Sequence, residues 1–321
     1  MPRLPHIDGD DTPDDETLTF EGLIVRRTVG SVASGLADLV TAILAAFEAA
    51  RINAGGTLSD AQAREFGRLI ADRIDSSAWA DMTPKLWAAA LDAHRLGVER
   101  AAQRFPDHAD RAKASATKTP KARRTPDPDR ALREELRHAS RIARAGIKTQ
   151  ADAASVAGKV KQGKARIEGH ARSVANEGIN AGTADVARTM ELRLLWVAER
   201  NACLDCLAHA GHAVEPGRAF PGVSFDPRSR PPAVEWPPLH PNCRCQVRTF
   251  DGPAGPPPSD RSSLSPAARL AAEARRSVVY QWTDYESGPA ARRAAEALLA
   301  AGAGLPASVE ARARRALKKK K

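Results

Sequence analysis

The chain has 321 residues and a mass of 34.3 kDa, enough for one large or two ordinary domains. Aromatic residues make up only 4% of it and β-branched residues are sparse, so the composition favours packed helices over a large β-sandwich or barrel. The formal charge of +10 and a sequence pI near 9.8 indicate a protein that tolerates or binds polyanions.

The first 22 residues are acidic and contain prolines, which predicts a disordered leader rather than a signal peptide. The most apolar run that follows, 39–47, is far shorter than the roughly 20 residues that a bilayer-spanning helix needs. Because no export signal is predicted, we expect the thiols to stay reduced, which favours a metal over disulfides.

Residues 23–105 predict an N-terminal helical bundle. The first helix has apolar residues at intervals of three and four and ends at Gly55-Gly56; the second starts after Ser59 as N-cap, and the third starts at Thr83-Pro84. Trp87 and His94 lie in the predicted apolar stripe of the third helix. We therefore interpret His94 as a hydrogen-bonded core histidine rather than a ligand.

Prolines and basic residues at 106–128 predict a linker. The segment 129–250 should then contain long helices followed by a cysteine module. Its first part predicts two or three helices, with Gly146 and Gly158 as possible breaks. Its second part predicts a strand at 194–198, a hairpin near Gly211, a proline-rich loop at 216–239 and a closing strand at 246–250, with the loop anchored by Phe220, Phe225 and Trp236.

A second linker is predicted at 251–263, and 264–321 should form C-terminal helices, at about 265–285 and 289–301, with a basic tail. The expected fold class is therefore mainly α with a small α+β zinc-binding module: a helical bundle, long helices and a short cysteine-rich β-hairpin module.

Positive charge is concentrated in the first linker and at the C-terminus. Such blocks are usually solvated and mobile, and they bind phosphate without sequence preference. The residues predicted to contact DNA non-specifically are Lys118, Lys121, Arg123, Arg124, Arg314, Arg315, Lys318, Lys319, Lys320 and Lys321.

All four cysteines lie in one stretch, as the pairs Cys203-Leu-Asp-Cys206 and Cys243-Arg-Cys245. Four thiolates close a tetrahedral shell and leave no position for water, so the pattern predicts a structural zinc site. The spacing of the second pair is tight, and His240 could replace one of its thiolates or orient a thiolate through a hydrogen bond.

Other interpretations of these residues stay open. Four reduced cysteines without a metal could instead pack in a small core. His209 and His212 are weaker ligand candidates, because a hairpin position beside Gly211 would place both on the surface.

Several motifs occur in a fixed order here. The run Glu177-Gly-Ile-Asn-Ala-Gly-Thr-Ala-Asp-Val-Ala-Arg-Thr-Met190 precedes Leu195-Trp-Val-Ala-Glu-Arg-Asn-Ala-Cys-Leu-Asp-Cys206, and Pro237-Pro-Leu-His-Pro-Asn-Cys-Arg-Cys245 follows. Over roughly 170–250, the chain resembles the minor head proteins of tailed bacteriophages, the Mu F-like or head morphogenesis family. It departs from that pattern at Met190, where the family usually has glutamate, and at Asn201-Ala202, where an acidic residue and a threonine are common.

The resemblance implies a non-enzymatic structural component of the virion, found in the capsid interior and, during assembly, in the host cytoplasm. Its implied partners are the portal protein and packaged double-stranded DNA, with the major capsid or scaffolding protein as further candidates and no membrane.

Two other functions compete with this interpretation. A nuclease of the His-Asn-His kind needs a histidine that activates water, usually preceded by aspartate, but Leu239 precedes His240. A cellular or phage zinc-containing nucleic-acid-binding protein would fit the basic blocks, but neither cysteine pair opens a helix with base-reading residues.

Overall fold

The computed structural model describes residues 15–77, 79, 81–106, 110–111, 127–199, 202–224, 229–240, 243–255, 289–300 and 307–318. Its long elements are the helices α1 (Asp15–Thr28), α2 (Gly30–Asn53), α3 (Asp60–Asp75), α4 (Thr83–Gln103), α5 (Pro128–Arg144) and α6 (Gln150–Thr189). Strand β1 (Arg193–Val197), helix α7 (Leu204–His209), strands β2 (Ala213–Val214) and β3 (Gln246–Phe250), and helices α8 (Pro289–Ala300) and α9 (Ala307–Lys318) follow. The protein is thus mainly helical with one small sheet, as the composition predicts.

Two compact units are built from segments that alternate along the chain. The helical unit contains 21–89 and 123–174, and the cysteine unit contains 1–20, 90–122 and 175–321. Helices α1, α4 and α6 contribute residues to both units. The domain boundaries predicted from the sequence stay predictions.

Local capping explains where the helices of the helical unit begin. Ser59 and Gln62 form a reciprocal capping box at the start of α3, and Asp127 accepts a hydrogen bond from the Arg130 amide at the start of α5. Leu36, Ile43 and Phe47 of α2 are fully buried in the core of this unit. The capping role predicted for Ser59 is therefore confirmed.

Helix α2 is, among the described helices, the one long and apolar enough to cross a membrane by length and composition. The prediction made from 39–47 alone is therefore wrong for the whole helix, which extends on both sides of that run to 24 residues. Residues on one side of α2 are buried inside the helical unit.

The cysteine unit contains a three-stranded antiparallel sheet in the order β2-β1-β3. In register, Leu195 of β1 lies opposite Ala213 of β2, and Trp196 lies opposite Val247 of β3. The predicted strands at 194–198 and 246–250 are thus confirmed. The chain turns at Gly211, whose φ is 76°, but the predicted small hairpin is wrong, because helix α7 lies between β1 and β2. Because β3 follows Cys245 directly, the sheet fixes the position of the second cysteine pair.

A close crossing of α4 and α6 supports the sheet within the cysteine unit. A Cβ atom added at Gly182 would lie 2.1 Å from the His94 carbonyl oxygen, and one added at Gly97 would lie 2.1 Å from the Ile179 carbonyl oxygen. A Cβ at Gly178 would lie 2.6 Å from the Cβ of Ala93. Glycine is therefore required at these three positions for the two backbones to touch.

Three local predictions are wrong. Residues 15–22 of the predicted disordered leader belong to helix α1, where buried Ile24 gives the helix an apolar side; residues 1–14 lie outside the described residues. Gly158 does not break α6, which runs for 40 residues through it, whereas Gly146, with φ of 110°, does separate α5 from α6. Trp87, assigned to the apolar stripe of α4, is 41% exposed.

Other predictions concern residues outside the part of the chain that the structure describes. Most of the linker at 106–128, the anchor Phe225, most of the linker at 251–263 and the helix at 265–285 lie outside the described residues. The helix predicted at 289–301 is confirmed by α8.

Candidate metal centre

The first cysteine pair lies at the start of a short helix. Cys203 has extended backbone angles and is the N-cap of α7, and its carbonyl oxygen accepts a hydrogen bond from the Leu207 amide at 2.8 Å. Cys206 follows within the first turn, so residues i and i+3 of this turn present both sulfur atoms on one side. Apolar residues around the pair, including Ala202 and Leu207, are buried and hold the first turn of α7 in the core.

The second group of ligand candidates comes from the segment just before β3. The Cys243 amide donates a hydrogen bond to the His240 carbonyl oxygen at 2.9 Å, which holds these two residues close together. Cys243 and Cys245 are 3% and 1% exposed, and Cys206 is 1% exposed. The two cysteine pairs, separated by about forty positions in the sequence, meet in one buried cluster.

Distances within the cluster define two overlapping groups of three. His240 Nε2 lies 3.2 Å from the Cys203 sulfur and 3.4 Å from the Cys206 sulfur, and the Cys206 and Cys243 sulfurs are 3.5 Å apart. The donor atoms of Cys203, Cys206 and His240 lie within 4.8 Å of one another, and so do those of Cys206, Cys243 and Cys245. All four cysteines are free thiols. Cys206 belongs to both groups, and the cluster could hold a metal ion.

Ionisation states differ sharply within the cluster. Hydrogen bonding with Cys206 lowers the pKa of the Cys203 thiol to about 5, with His240 acting in the same direction and burial opposing. Burial acts to lower the pKa of His240, but hydrogen bonding with Cys203 and the charges of Cys243 and Cys203 outweigh it and raise that pKa to about 9.

The other three thiols also titrate away from their usual range. Burial acts to raise the pKa of Cys243, yet hydrogen bonds with Cys206 and Cys245 hold that pKa well below its usual value. Hydrogen bonding with Cys203 raises the pKa of Cys206, and burial raises the pKa of Cys245. The cluster therefore combines two thiols with lowered pKa, Cys203 and Cys243, with three groups of raised pKa, Cys206, Cys245 and His240. A divalent cation would bind here by displacing protons.

Glu199 lies beside the cluster at the end of β1. Its backbone amide donates a hydrogen bond to the Cys245 sulfur at 3.4 Å, and Arg244 Nη1 lies 3.8 Å from its carboxylate. Burial raises the pKa of the Glu199 carboxyl, and the charge of Arg244 partly opposes that rise. An amide hydrogen bond to sulfur stabilises the thiolate form, so Glu199 supports the cluster through its backbone.

Asn180 of α6 joins the long helix to the cysteine cluster. Its Nδ2 donates a hydrogen bond to the Cys245 carbonyl oxygen at 3.1 Å, and its Oδ1 accepts one from the Val247 amide at 2.8 Å. The same Nδ2 also donates to the Asn176 side chain, and Asn180 is completely buried. One side chain therefore fixes the backbone on both sides of Gln246. The sequence signal for this role is a pair of asparagines four residues apart in a small-residue helix, and none of the sequence-based predictions includes it.

His209 is fully buried, so its predicted surface position is wrong. Its two ring nitrogens each lie 2.7 Å from a carbonyl oxygen, one of Asp205 and one of Pro221. The centroid of its ring lies 4.7 Å from that of Trp196, with the two planes tilted by 34°. Trp196 also contacts Phe220 edge-on. These contacts occupy both nitrogens, which leaves His209 a structural role in the core next to α7. His212 is half-buried and lies outside both groups.

Asp205, between the two cysteines of the first pair, fixes the proline-rich loop. Its carboxylate accepts hydrogen bonds from the hydroxyls of Ser224 and, at 3.0 Å, Ser229. The loop anchors Phe220 and Trp236 are buried, as predicted. The loop that leads to His240 is thus attached to the same helix that carries Cys203 and Cys206.

His94 is a hydrogen-bonded core histidine, as predicted. It is 1% exposed, and its Nε2 lies 3.0 Å from Asp185, whose other carboxylate oxygen accepts from Arg188 at 2.6 Å. These residues lie at the α4–α6 crossing and not at the cysteine cluster.

The predicted DNA-contacting residues separate into two sets. Arg314, Arg315 and Lys318 are exposed on helix α9, which corrects the expectation of a mobile tail for these three positions. The remaining residues of this set, Lys118, Lys121, Arg123, Arg124, Lys319, Lys320 and Lys321, lie outside the described residues.

Comparison of the chain with models of known protein families, with curated proteins and with solved structures found no significant match.

Proposed function

We propose that the cysteine cluster is a structural zinc centre and that the protein is a minor capsid protein that acts in phage head morphogenesis. The observation that carries the proposal is the convergence of Cys203, Cys206, His240, Cys243 and Cys245 from two distant segments. Zinc is the ion that mixed thiolate and imidazole donors most often bind.

The spacing of the donor atoms fits such an ion. Tetrahedral coordination with Zn–S bonds of about 2.3 Å places sulfur atoms about 3.8 Å apart, with sulfur–nitrogen separations slightly shorter. Three separations, Cys203–His240, Cys206–His240 and Cys206–Cys243, are 3.2, 3.4 and 3.5 Å, within a few tenths of an ångström of that arrangement. Cys206, which belongs to both groups of three, would hold the ion with further ligands from Cys203, His240, Cys243 and Cys245, and the bound ion would crosslink the two segments.

The burial of the cluster favours a structural over a catalytic role. Three of its four sulfurs lie in residues exposed by 3% or less, in the same core cluster as Trp196 and Leu207. A catalytic zinc needs an open position that substrate and water can reach. An ion closed off by four protein donors in this core would instead contribute folding free energy.

The assignment to head morphogenesis rests on the resemblance of the motifs within 177–245 to the Mu F-like family. A mainly helical body, a small sheet next to a cysteine cluster and exposed basic residues support it. In this proposal the protein associates with the portal inside the head, with the major capsid or scaffolding protein as further candidate partners, and contacts packaged DNA through its basic residues. Its place would be the capsid interior and, before that, the host cytoplasm.

The zinc centre is tested by metal analysis and limited proteolysis of the purified full chain. We expect about one equivalent of zinc, and we expect Cys206→Ser to lose zinc and to expose 193–250 to protease. Ser224→Ala, which removes one hydrogen bond of Asp205, serves as the control that retains zinc. Stoichiometric absence of metal in a folded sample would overturn the proposal, and so would unchanged protection of the Cys206 variant.

The capsid role is tested by coexpression with the portal subunit encoded in the same genome. We expect the two proteins to copurify, and we expect mass spectrometry of purified virions to detect this chain in the head fraction. A genome that encodes no portal, or virions that assemble without this chain, would contradict the role while leaving the zinc centre intact.

A further inference from the structure

The C-terminal helices share the core of the metal centre. Ala295 and Leu298 of α8 and Val309 and Ala313 of α9 are buried in the same hydrophobic cluster as Cys206, Cys243 and Cys245. Helices of 12 residues are marginal on their own in water, so this packing keeps them helical. The pair α8–α9 is therefore a fixed part of the cysteine unit.

The opposite side of α9 is strongly basic. Arg314, Arg315 and Lys318 are exposed and fall within about 100° of the helix circumference, facing away from Val309 and Ala313. These three charges are spread over only about 6 Å of helix axis. Arg293 of α8 is exposed as well.

Few of these charges are neutralised. Arg314 forms an ion pair with Glu310 at 2.6 Å. Within the described part of the chain, Arg293, Arg315 and Lys318 have no carboxylate partner. Cations in the last turn of α9 also offset the helix dipole, but that effect is small and needs no clustering on one side.

From this arrangement, and resting on the proposed function, we propose that the outer face of α9 is a preformed binding surface for the phosphate backbone of double-stranded DNA. The two guanidinium groups and the lysine ammonium group lie at fixed positions, because α9 is packed against the core. Their contact with phosphate groups releases counterions from the DNA. The exposed residues of α9 include no aromatic or amide side chain for stacking on bases or for reading adenine, and the proposed contact is to phosphate.

The test compares three forms of the full chain on a 30-base-pair duplex between 50 and 200 mM salt. Replacing Arg314, Arg315 and Lys318 by glutamine should reduce the slope of log K against log salt by roughly 3. The same salt increase should then weaken wild-type binding about 40-fold more than binding of the variant. The control replaces three exposed cations of the helical unit, Arg130, Arg133 and Lys161, by glutamine and should keep the wild-type slope.

Three results would overturn the inference. An unchanged slope in the α9 variant, with binding lost on deletion of 319–321, would assign the DNA contact to the terminal lysines alone. Competition by polyglutamate as strong as that by DNA would indicate an acidic protein partner. A drop of the same size in the control would indicate attraction by net charge. Zinc content and protease protection, measured on the same samples, report separately on the proposed metal centre.

Discussion

Replacing Asn180 by alanine should weaken both the fold of the cysteine unit and the zinc binding that we propose for it. The substitution removes the buried partners of the Val247 amide and the Cys245 carbonyl oxygen. Each of these two buried backbone groups, left without a partner, costs about 1–3 kcal/mol, so we expect the free energy of unfolding to fall by about 2–6 kcal/mol. Loss of a supporting hydrogen bond next to a ligand typically lowers metal affinity by about 10- to 100-fold.

Asn180→Asp distinguishes the contributions of the two hydrogen bonds, because it keeps one and removes the other. A carboxylate can still accept from the Val247 amide but cannot donate to the Cys245 carbonyl oxygen. Hydrogen exchange should therefore show the Val247 amide protected in the aspartate variant and exposed in the alanine variant, while chelator competition shows weaker zinc binding in both. Lys161→Ala, an exposed change in the same helix, should alter neither. Wild-type protection of the Val247 amide in Asn180→Ala would refute the reasoning.

Three further predictions concern the crossing and the cluster. Gly182→Ala should destabilise the protein by about 3 kcal/mol, because its Cβ would clash with the His94 carbonyl oxygen. Gly158→Ala, whose Cβ would contact nothing within 4 Å, is the control and should not lower the melting temperature. Equal melting temperatures of the two variants would contradict the close crossing of α4 and α6. Zinc affinity should rise with pH between 6 and 8, by about tenfold per unit for each proton displaced, because His240, with a pKa of about 9, is protonated there and must lose its proton to bind. If His240 is a ligand, His240→Ala should lower the slope of log zinc affinity against pH by about one. An unchanged slope would exclude His240 as a ligand. In chelator-treated protein, iodoacetamide should alkylate Cys203 at pH 6, since its pKa of about 5 leaves a thiolate, and zinc should block the reaction; a midpoint near pH 9 would contradict this.

The elements predicted best are those set by local sequence. Periodic apolar residues and the Ser59 capping box fix α2 and α3, and an apolar run of five residues fixes β1. The residues that meet in the cluster could also be predicted, because close cysteine pairs have few other uses in a reduced protein.

What the sequence did not reveal depends on contacts between distant segments. Helix α7 has only six residues, too few for a periodic pattern, and it forms with Cys203 at its N-cap position and most of its residues buried in the core. His209 was placed on the surface because a histidine near a glycine turn is usually exposed, yet Trp196 and two carbonyl oxygens bury it. Gly158 lowers helix propensity by about 1 kcal/mol, which tertiary packing along α6 readily overcomes.

The tight contact of α4 with α6 bears on how distant homologues of this chain can be recognised. Positions 97, 178 and 182 admit no side chain, so any protein that retains this contact must retain all three glycines even where its surface has diverged. With Asn180, they form a fingerprint that contains no cysteine. A homologue that had lost all four cysteines would still be identifiable by it.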